Sequence, residues 1–218
     1  MTWLQGGPFL EISFLLTLDL DRQTFVDNVL TKLKSFKPTV DFATTETELK
    51  EKISEFNIGN PYDDKDPNTK VFHQTQIPIY VDTDVKRKAI LSLRQVSDKL
   101  VAVDFWFFGS EWDAPEWNQV GITTEQLPIF KDFLNKLFDT FDFVIGTMGF
   151  ENSVTDLFDT GDFWPSETYT IDNINRQSLQ VDNYFSLIVA NKKHIDLHDL
   201  NGLRTAGQRQ TLEKKYSA

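Results

Sequence analysis

The sequence predicts an α+β fold in which helices pack mainly on one face of a mostly antiparallel sheet. Strand-like and helical segments alternate irregularly, whereas a doubly wound parallel sheet would repeat strand–helix–strand units. Two strand-like runs, 88–96 and 100–108, are separated by the short polar turn Ser97-Asp98-Lys99, which predicts a β-hairpin. The sequence also lacks GxGxxG and GxxxxGK[ST], the phosphate-binding loops common in parallel folds.

The N-terminal part is predicted to form a buried strand and then a helix. Residues 9–18 are an apolar run long enough for a strand, and Asp19 and Asp21 behind it are suitable helix N-caps. The apolar residues that follow recur at helical spacing until Pro38 ends the helix. They are Phe25, Val26, Val29, Leu30, Leu33 and Phe36.

Two capping-box patterns predict further helices. Thr45 with Glu48 three residues later indicates the start of a short helix. Thr123 with Gln126 indicates the start of a longer one, with an apolar stripe from Leu127 to Phe141. This stripe is the most regular helical pattern in the chain.

Further strands are predicted at 78–82, 143–150 and 183–191. The run 100–108 is apolar at nearly every position, which is typical of a strand covered on both faces, so it is expected at the centre of the sheet. A short helical turn is predicted at 154–158.

Length and composition favour a single globular domain over residues 1–218. The chain has 218 residues, 40% of them hydrophobic, which suffices for one sizeable core. The segment 57–70 is rich in proline and polar residues and is predicted to be a loop within that domain. From Lys192 the basic tail is predicted to be helical up to Gly202, and residues 203–218 are expected to be partly flexible.

The sequence favours the cytoplasm and predicts no membrane association. It contains no cysteine, which suits a reducing compartment and excludes disulfides and thiolate metal sites. Its first basic residue is Arg22, and Glu11 interrupts the N-terminal apolar run, so neither a secretory signal nor a membrane span is expected.

Acidic residues are concentrated in one part of the chain. The net charge is −11, and the segment from Asp104 to Asp172 holds fourteen Asp and Glu against two lysines, a net of −12. Nucleic-acid binding is therefore not expected, because phosphate affinity depends on clustered Lys and Arg. A basic protein is the predicted partner.

The same segment supplies tryptophans beside the acids, a combination that predicts a protein-binding surface. Tryptophan is enriched at interface hot spots, and surrounding carboxylates would favour a cationic partner. The predicted partner-binding residues are Glu111, Trp112, Asp113, Glu116, Trp117, Asp159, Asp162 and Trp164.

Two alternatives stay open at this point. Glu111 and Glu116 lie among tryptophans, as the carboxylate pair of a carbohydrate-active hydrolase lies beside aromatic platforms. In the second alternative, the protein is a non-catalytic regulatory domain, and its acidic residues serve only solubility. No GxSxG motif is present and His73 has no recognisable nucleophile partner, so no catalytic residue is assigned.

No cofactor or metal is predicted, although one histidine pair leaves the metal question open. His194 and His198 are four residues apart and would share a helix face, as two zinc ligands do in HExxH enzymes. Here Ile195 stands where that motif has its Glu. Surface histidines near the start of a helix explain the pair equally well.

The runs GSEWDAPEWNQVGI (109–122) and MGFENSVTDLFDTGDFWPSETYTIDNI (148–174) resemble bacterial immunity proteins of polymorphic toxin systems. These are small cytosolic antidotes encoded beside a toxin. The resemblance implies a protein that is not an enzyme and that neutralises a cognate toxin by tight binding. A nuclease toxin would be basic where it holds phosphate, so an acidic antidote would block it by occlusion. The shared motifs are Glu116-Trp117, Gly121, Gly149, Glu151, Leu157-Phe158, Trp164-Pro165 and Glu167.

Overall fold

A computed structural model shows the predicted α+β class, with three helices beside an antiparallel sheet. The structure describes residues 9–108, 122, 126–158, 166–169, 184–189 and 210–213, the last two ranges by their backbone alone.

The helices are α1 (Arg22–Lys34), α2 (Glu46–Ile58) and α3 (Leu127–Phe141), and a 3-10 turn covers Val154–Leu157. The strands are β1 (Phe9–Thr17), β2 (Val40–Phe42), β3 (Asn60–Pro61), β4 (Val71–Phe72), β5 (Gln74–Asp82), β6 (Lys86–Gln95), β7 (Leu100–Phe108), β8 (Ile145–Phe150), β9 (Tyr184–Val189) and β10 (Gln210–Glu213). The main sheet has the order β10-β9-β8-β1-β7-β6-β5-β2, and all its pairings are antiparallel. β3 and β4 form a separate short hairpin.

Strand β7 lies between β1 and β6 and is covered on both faces, as its apolar run predicted. Because side chains alternate along a strand, Val101, Val103, Phe105 and Phe107 share one face, which we call the inner face. All four belong to the hydrophobic core. The opposite face, here the outer face, carries Ala102, Asp104 and Trp106.

The helices pack on the inner face through aromatic side chains. The ring centroid of Phe133 in α3 lies 5.2 Å from that of Phe105, in an edge-to-face arrangement. Phe130 lies one turn away with its centroid 5.0 Å from that of Phe107. Phe36, just after α1, meets Phe133 edge-on at 5.4 Å, so one ring of α3 joins the sheet to the α1 region. Edge-to-face geometry is favoured by the ring quadrupoles.

The predicted caps of α1 and α2 are confirmed, whereas Thr123 of the capping box predicted for α3 lies outside the described residues. The Asp21 carboxylate accepts a hydrogen bond from the Thr24 N–H at 2.9 Å. Thr45 and Glu48 form the full reciprocal capping box. Helix α3 has Gln126 at its N-cap position, and this side chain makes no capping hydrogen bond to the helix. A proline in its first turn lacks an N–H, which leaves fewer donors to cap.

The strand prediction at 78–82 was too short, and β2 was missed. β5 begins at Gln74, where Gln74 and Gln76 break the apolar pattern although Thr75 and Ile77 between them point inward and are buried. β2 contributes three residues to the sheet, too few to show a periodicity. Strand β10 lies in the basic tail, and the helix predicted from Lys192 to Gly202 lies outside the described residues.

Replacing Phe105 by alanine is expected to lower the free energy of unfolding by about 3–5 kcal/mol. The ring is fully buried, and its loss would leave a cavity between β7 and α3. Tyr62→Ala is the control, because this tyrosine is 67% exposed, and it should change stability by about 1 kcal/mol or less. Urea unfolding followed by circular dichroism measures both. Equal losses in the two variants would contradict the packing described here.

Candidate functional site

A row of four polar residues crosses the outer face of the sheet. Ser92 in β6 lies opposite Asp104 in β7, which lies opposite Ser13 in β1, which lies opposite Thr147 in β8. None is more than 1% exposed. Buried polar groups raise the free energy of the folded state unless they are hydrogen-bonded, so this row needs an explanation.

Part of the explanation is a hydrogen-bond network centred on Asp104. Ser13 Oγ donates to the Asp104 carboxylate and accepts a hydrogen bond from the Val154 N–H at 3.0 Å. Arg94 Nη2 lies 3.1 Å from Asp104 Oδ2 and 3.4 Å from Ser153 Oγ, to which it donates. The row therefore ties the 153–157 turn to the outer face.

The turn itself is held by a capping box that the sequence analysis missed. The Ser153 N–H donates to Asp156 Oδ2 at 2.7 Å, and Ser153 Oγ accepts from the Thr155 N–H at 3.2 Å. The predicted turn at 154–158 is observed at Val154–Leu157. The missed signal is Ser-x-x-Asp, a variant of the Ser/Thr-x-x-Glu pattern.

Glu11 lies beside this network, opposite Trp106 on β7. Burial, together with the neighbouring Asp104, Asp156 and Glu151, raises the pKa of Glu11 to about 8 against the opposing effect of Arg94. Glu11 is therefore mostly protonated at pH 7. The shift reflects first the burial of Glu11 and second the negative charges around it.

Asp156 lies at the rim of the same group. Burial raises its pKa, and the charge of Asp104 acts in the same direction, whereas the Ser153 N–H and Arg94 lower it. Its side chain still reaches solvent, so its loss of hydration is only partial. We call Glu11, Asp104, Glu151 and Asp156 the acidic cluster.

The eight predicted partner-binding residues lie outside the described residues. Their chain neighbours show where each group joins the fold. The group from Glu111 to Trp117 follows the end of β7, the end of the sheet near which Glu11 and Glu151 lie. The group from Asp159 to Trp164 follows Phe158 and precedes Ser166, whose N–H donates to Val96 O at 2.8 Å, near the opposite end of the strands.

Of the other sequence candidates, only His73 lies within the described residues. Glu111, Glu116, His194 and His198 lie outside the described residues. His73 is buried, its Nδ1 lies 3.0 Å from the carbonyl oxygen of Phe56, and burial lowers its pKa, so it serves the packing of α2. Among the described residues, no three His, Asp or Glu side chains are close enough to hold a metal ion.

A fully buried arginine was also missed by the sequence analysis. Arg87 is 0% exposed, lies 3.0 Å from Asp84, and has its guanidinium 5.1 Å from the centre of the Phe130 ring. Gln126 Nε2 donates to the same Asp84 at 3.1 Å. The available signal was alternation in KRKAILSL, which puts Arg87 on the same face as Ala89. This group fixes the β5–β6 turn to the start of α3.

Comparisons with protein-family models, curated protein sequences and solved structures give no significant match. Within the part of the chain that the structure describes, no helix combines the length and the apolar character needed to cross a bilayer. The case for a function therefore rests on the site itself.

Ser13→Ala is expected to loosen the 153–157 turn. The change removes the acceptor of the Val154 N–H and one donor to buried Asp104, at a cost of about 1–3 kcal/mol. Hydrogen exchange at the Val154 amide should accelerate. Thr17→Ala on the exposed end of the same strand serves as the control. An unchanged exchange rate at Val154 in the Ser13 variant would contradict this role.

Glu11→Gln is expected to reduce the loss of stability as the pH rises. The folded-state pKa of Glu11, about 8, exceeds its ordinary value of 4.5. The protonated side chain therefore contributes its full stabilisation below about pH 4.5, and this stabilisation is lost as the pH rises through about 8. The wild-type free energy of unfolding should therefore fall between about pH 5 and about pH 8, and the variant's should fall less. Urea titrations across this range measure it. The control is Glu51→Gln on exposed α2, which should behave as the wild type does.

Proposed function

We propose that this protein is a cytoplasmic, non-enzymatic inhibitor that binds a basic protein, as an immunity protein neutralises its cognate toxin by occlusion. The observation that supports the proposal is the acidic cluster, in which the pKa of Glu11 is raised to about 8, chiefly by burial and in addition by the neighbouring carboxylates. It lies near the end of the sheet from which the segment holding Glu111 to Trp117 leaves. Negative charge is thus gathered on the fold beside the most acidic and tryptophan-rich part of the sequence.

The electrostatic argument favours a cationic partner. The segment from Asp104 to Asp172 has a net charge of −12 in the sequence. Crowded like charges raise the free energy of the isolated protein, and an approaching basic surface would relieve that repulsion. Complementary charge also accelerates encounter and rejects acidic competitors. A nuclease toxin has such a basic surface where it binds phosphate.

The scaffold suits inhibition by occlusion. The strand before Glu111 is the central strand of the sheet, with aromatic packing below it and the Asp104 network on its outer face. A preorganised support lowers the entropy lost on binding. Tryptophans attached to it would serve as anchors of the interface. Occlusion requires no bound cofactor or metal.

The geometry of the acidic cluster supports binding over hydrolysis. A glycosidase needs two carboxyl groups that both reach the substrate. Asp104 is 0% exposed, and its oxygens are engaged by Ser13 and Arg94, so it is unsuited to attack a sugar or to activate a water. The pair Glu111 and Glu116 remains the alternative hydrolase site, and a purely regulatory domain remains the third candidate.

The direct test uses the C-terminal domain encoded by the neighbouring reading frame as the probe. The wild-type protein is expected to bind it and abolish its toxic activity. Trp112→Ala and Glu116→Lys should each weaken binding by about 2 kcal/mol or more, with the fold unchanged. Asp64→Lys, a charge reversal in the exposed connection between β3 and β4, is the matched control and should bind as the wild type does. Calorimetry and circular dichroism provide the two measurements.

Three results would overturn the proposal. Unfolding of the Trp112 and Glu116 variants would assign those side chains to the core. Equal binding by all variants would remove the acidic, tryptophan-rich surface from the interface. Glycoside hydrolysis that Glu116→Gln abolishes would favour the hydrolase.

A further inference from the structure

A groove beside the end of β1 has the size of a small-molecule site. It lies between the last residues of β1, the middle of α1 and the connection from α3 to β8, and its volume is about 730 Å³. Binding sites for small organic ligands are concave, mostly apolar and roughly 300–1,000 Å³ in volume. The groove lies towards the opposite end of β1 from Glu11, so the proposed function does not use it.

The floor of the groove is apolar and reaches solvent. Its residues are part of the hydrophobic core, yet each keeps between 3% and 9% of its surface exposed. They are Leu16, Phe25, Val29, Phe141 and Val144. Leu20, which also lines the groove, is 51% exposed. Apolar surface left uncovered in a concave place indicates an apolar ligand.

The lysine that lines the groove is already engaged by α3. Lys32 Nζ donates to the carbonyl oxygen of Thr140 at 3.2 Å and lies 5.3 Å from the centre of the Phe141 ring. Its charge is therefore held at the C-terminal end of α3, where the helix dipole and the ring both favour a cation. Among the described residues that line the groove, no other is a Lys, Arg or His.

Two carboxylates set the charge of the groove. Asp19 and Asp142 line it against the single Lys32, so the described lining has a net charge of −1 and favours a cationic ligand. Asp19 Oδ2 accepts a hydrogen bond from Thr17 Oγ1 at 2.9 Å, and within the described part of the chain Asp19 forms no ion pair. A carboxylate offers about four acceptor positions, so Asp19 can accept further hydrogen bonds from a ligand.

We propose that this groove binds a small organic amine that carries an apolar group. The ammonium group contacts the Asp19 carboxylate, and the apolar group lies on the floor between α1 and Phe141. Both contacts are required, because an exposed carboxylate alone binds a cation weakly in water and an apolar floor alone selects no charge. The volume is that of a small-molecule site, so the occupant is a free amine and not a segment of another protein.

The test uses the full 218-residue chain and phenethylamine as the probe. NMR titration should give saturable shifts of the backbone amides of Leu20, Asn28 and Thr31, all of which line the groove. A dissociation constant on the order of 1 mM is expected for a ligand of this size. Three analogues separate the two contacts: ethylamine lacks the ring, 2-phenylethanol lacks the charge and 3-phenylpropionate reverses it. Each analogue should bind at least about tenfold more weakly.

Two variants test the two sides of the groove. Asp19→Asn should weaken phenethylamine binding about tenfold and leave it no tighter than 2-phenylethanol binding. Asp27→Asn is the matched control, because Asp27 is exposed on α1 but does not line the groove. Thr31→Trp should abolish binding by filling the groove, whereas Thr47→Trp on the exposed surface of α2 should not. Circular dichroism verifies that each variant is folded.

Any of four results would refute this site. They are the absence of saturable shifts at the groove amides, equal binding of phenethylamine and 2-phenylethanol, tighter binding of 3-phenylpropionate, and unchanged phenethylamine binding in either Asp19→Asn or Thr31→Trp. The groove and the segment holding Glu111 to Trp117 are tested with different probes and different variants. Failure of the amine site is therefore distinguishable from failure of the proposed inhibitor function.

Discussion

The structure depends on the burial of strand β7 on both faces. On the inner face this places Phe105 and Phe107 against α3, where the aromatic core forms. On the outer face the same burial removes Asp104 from water, and an ionised carboxylate there is tolerable only with strong partners. Ser13 from β1 and Arg94 from β6 provide them, one from each neighbouring strand. The sheet register and the Asp104 network are thus two aspects of one constraint.

Much of the fold could be predicted from the sequence because its signals are local. Three patterns show this: the apolar run of β7, the apolar stripe of α3 and the Thr45–Glu48 capping box. Each is formed by residues that are close together in the sequence. The start of β5 was missed because its outward residues are glutamines. Strand β2 was missed because three residues are too few to show the alternation of a strand. The start of α3 at Leu127, with Gln126 at the N-cap, could not be read from the sequence, because an apolar stripe does not by itself mark the first residue of a helix.

The acidic cluster and the hydrogen bonds around it could not be predicted, because the residues involved are far apart in the chain. Ser13 and Asp104 are 91 residues apart, and Ser13 and Val154 are 141 apart. In the sequence Glu11 is a single acid in an apolar run, where it served only as evidence against a membrane span. The signal that could have found it is alternation: Glu11 and Ser13 occupy successive outward positions of a strand whose inward residues are all large and apolar. The residues opposite Glu11 and Ser13 are known only once the register of the neighbouring strands is known.

The position of β1 has a consequence for biosynthesis. This first strand ends up inside the sheet, between β7 and β8, so both of its neighbours are translated long after it. Until both neighbours are present, its apolar residues are not covered by the sheet. Such long-range pairing is intrinsically slow and leaves hydrophobic surface exposed to aggregation. Strand β1 therefore gains its second neighbour only once β8, about two thirds of the way along the chain, has been synthesised.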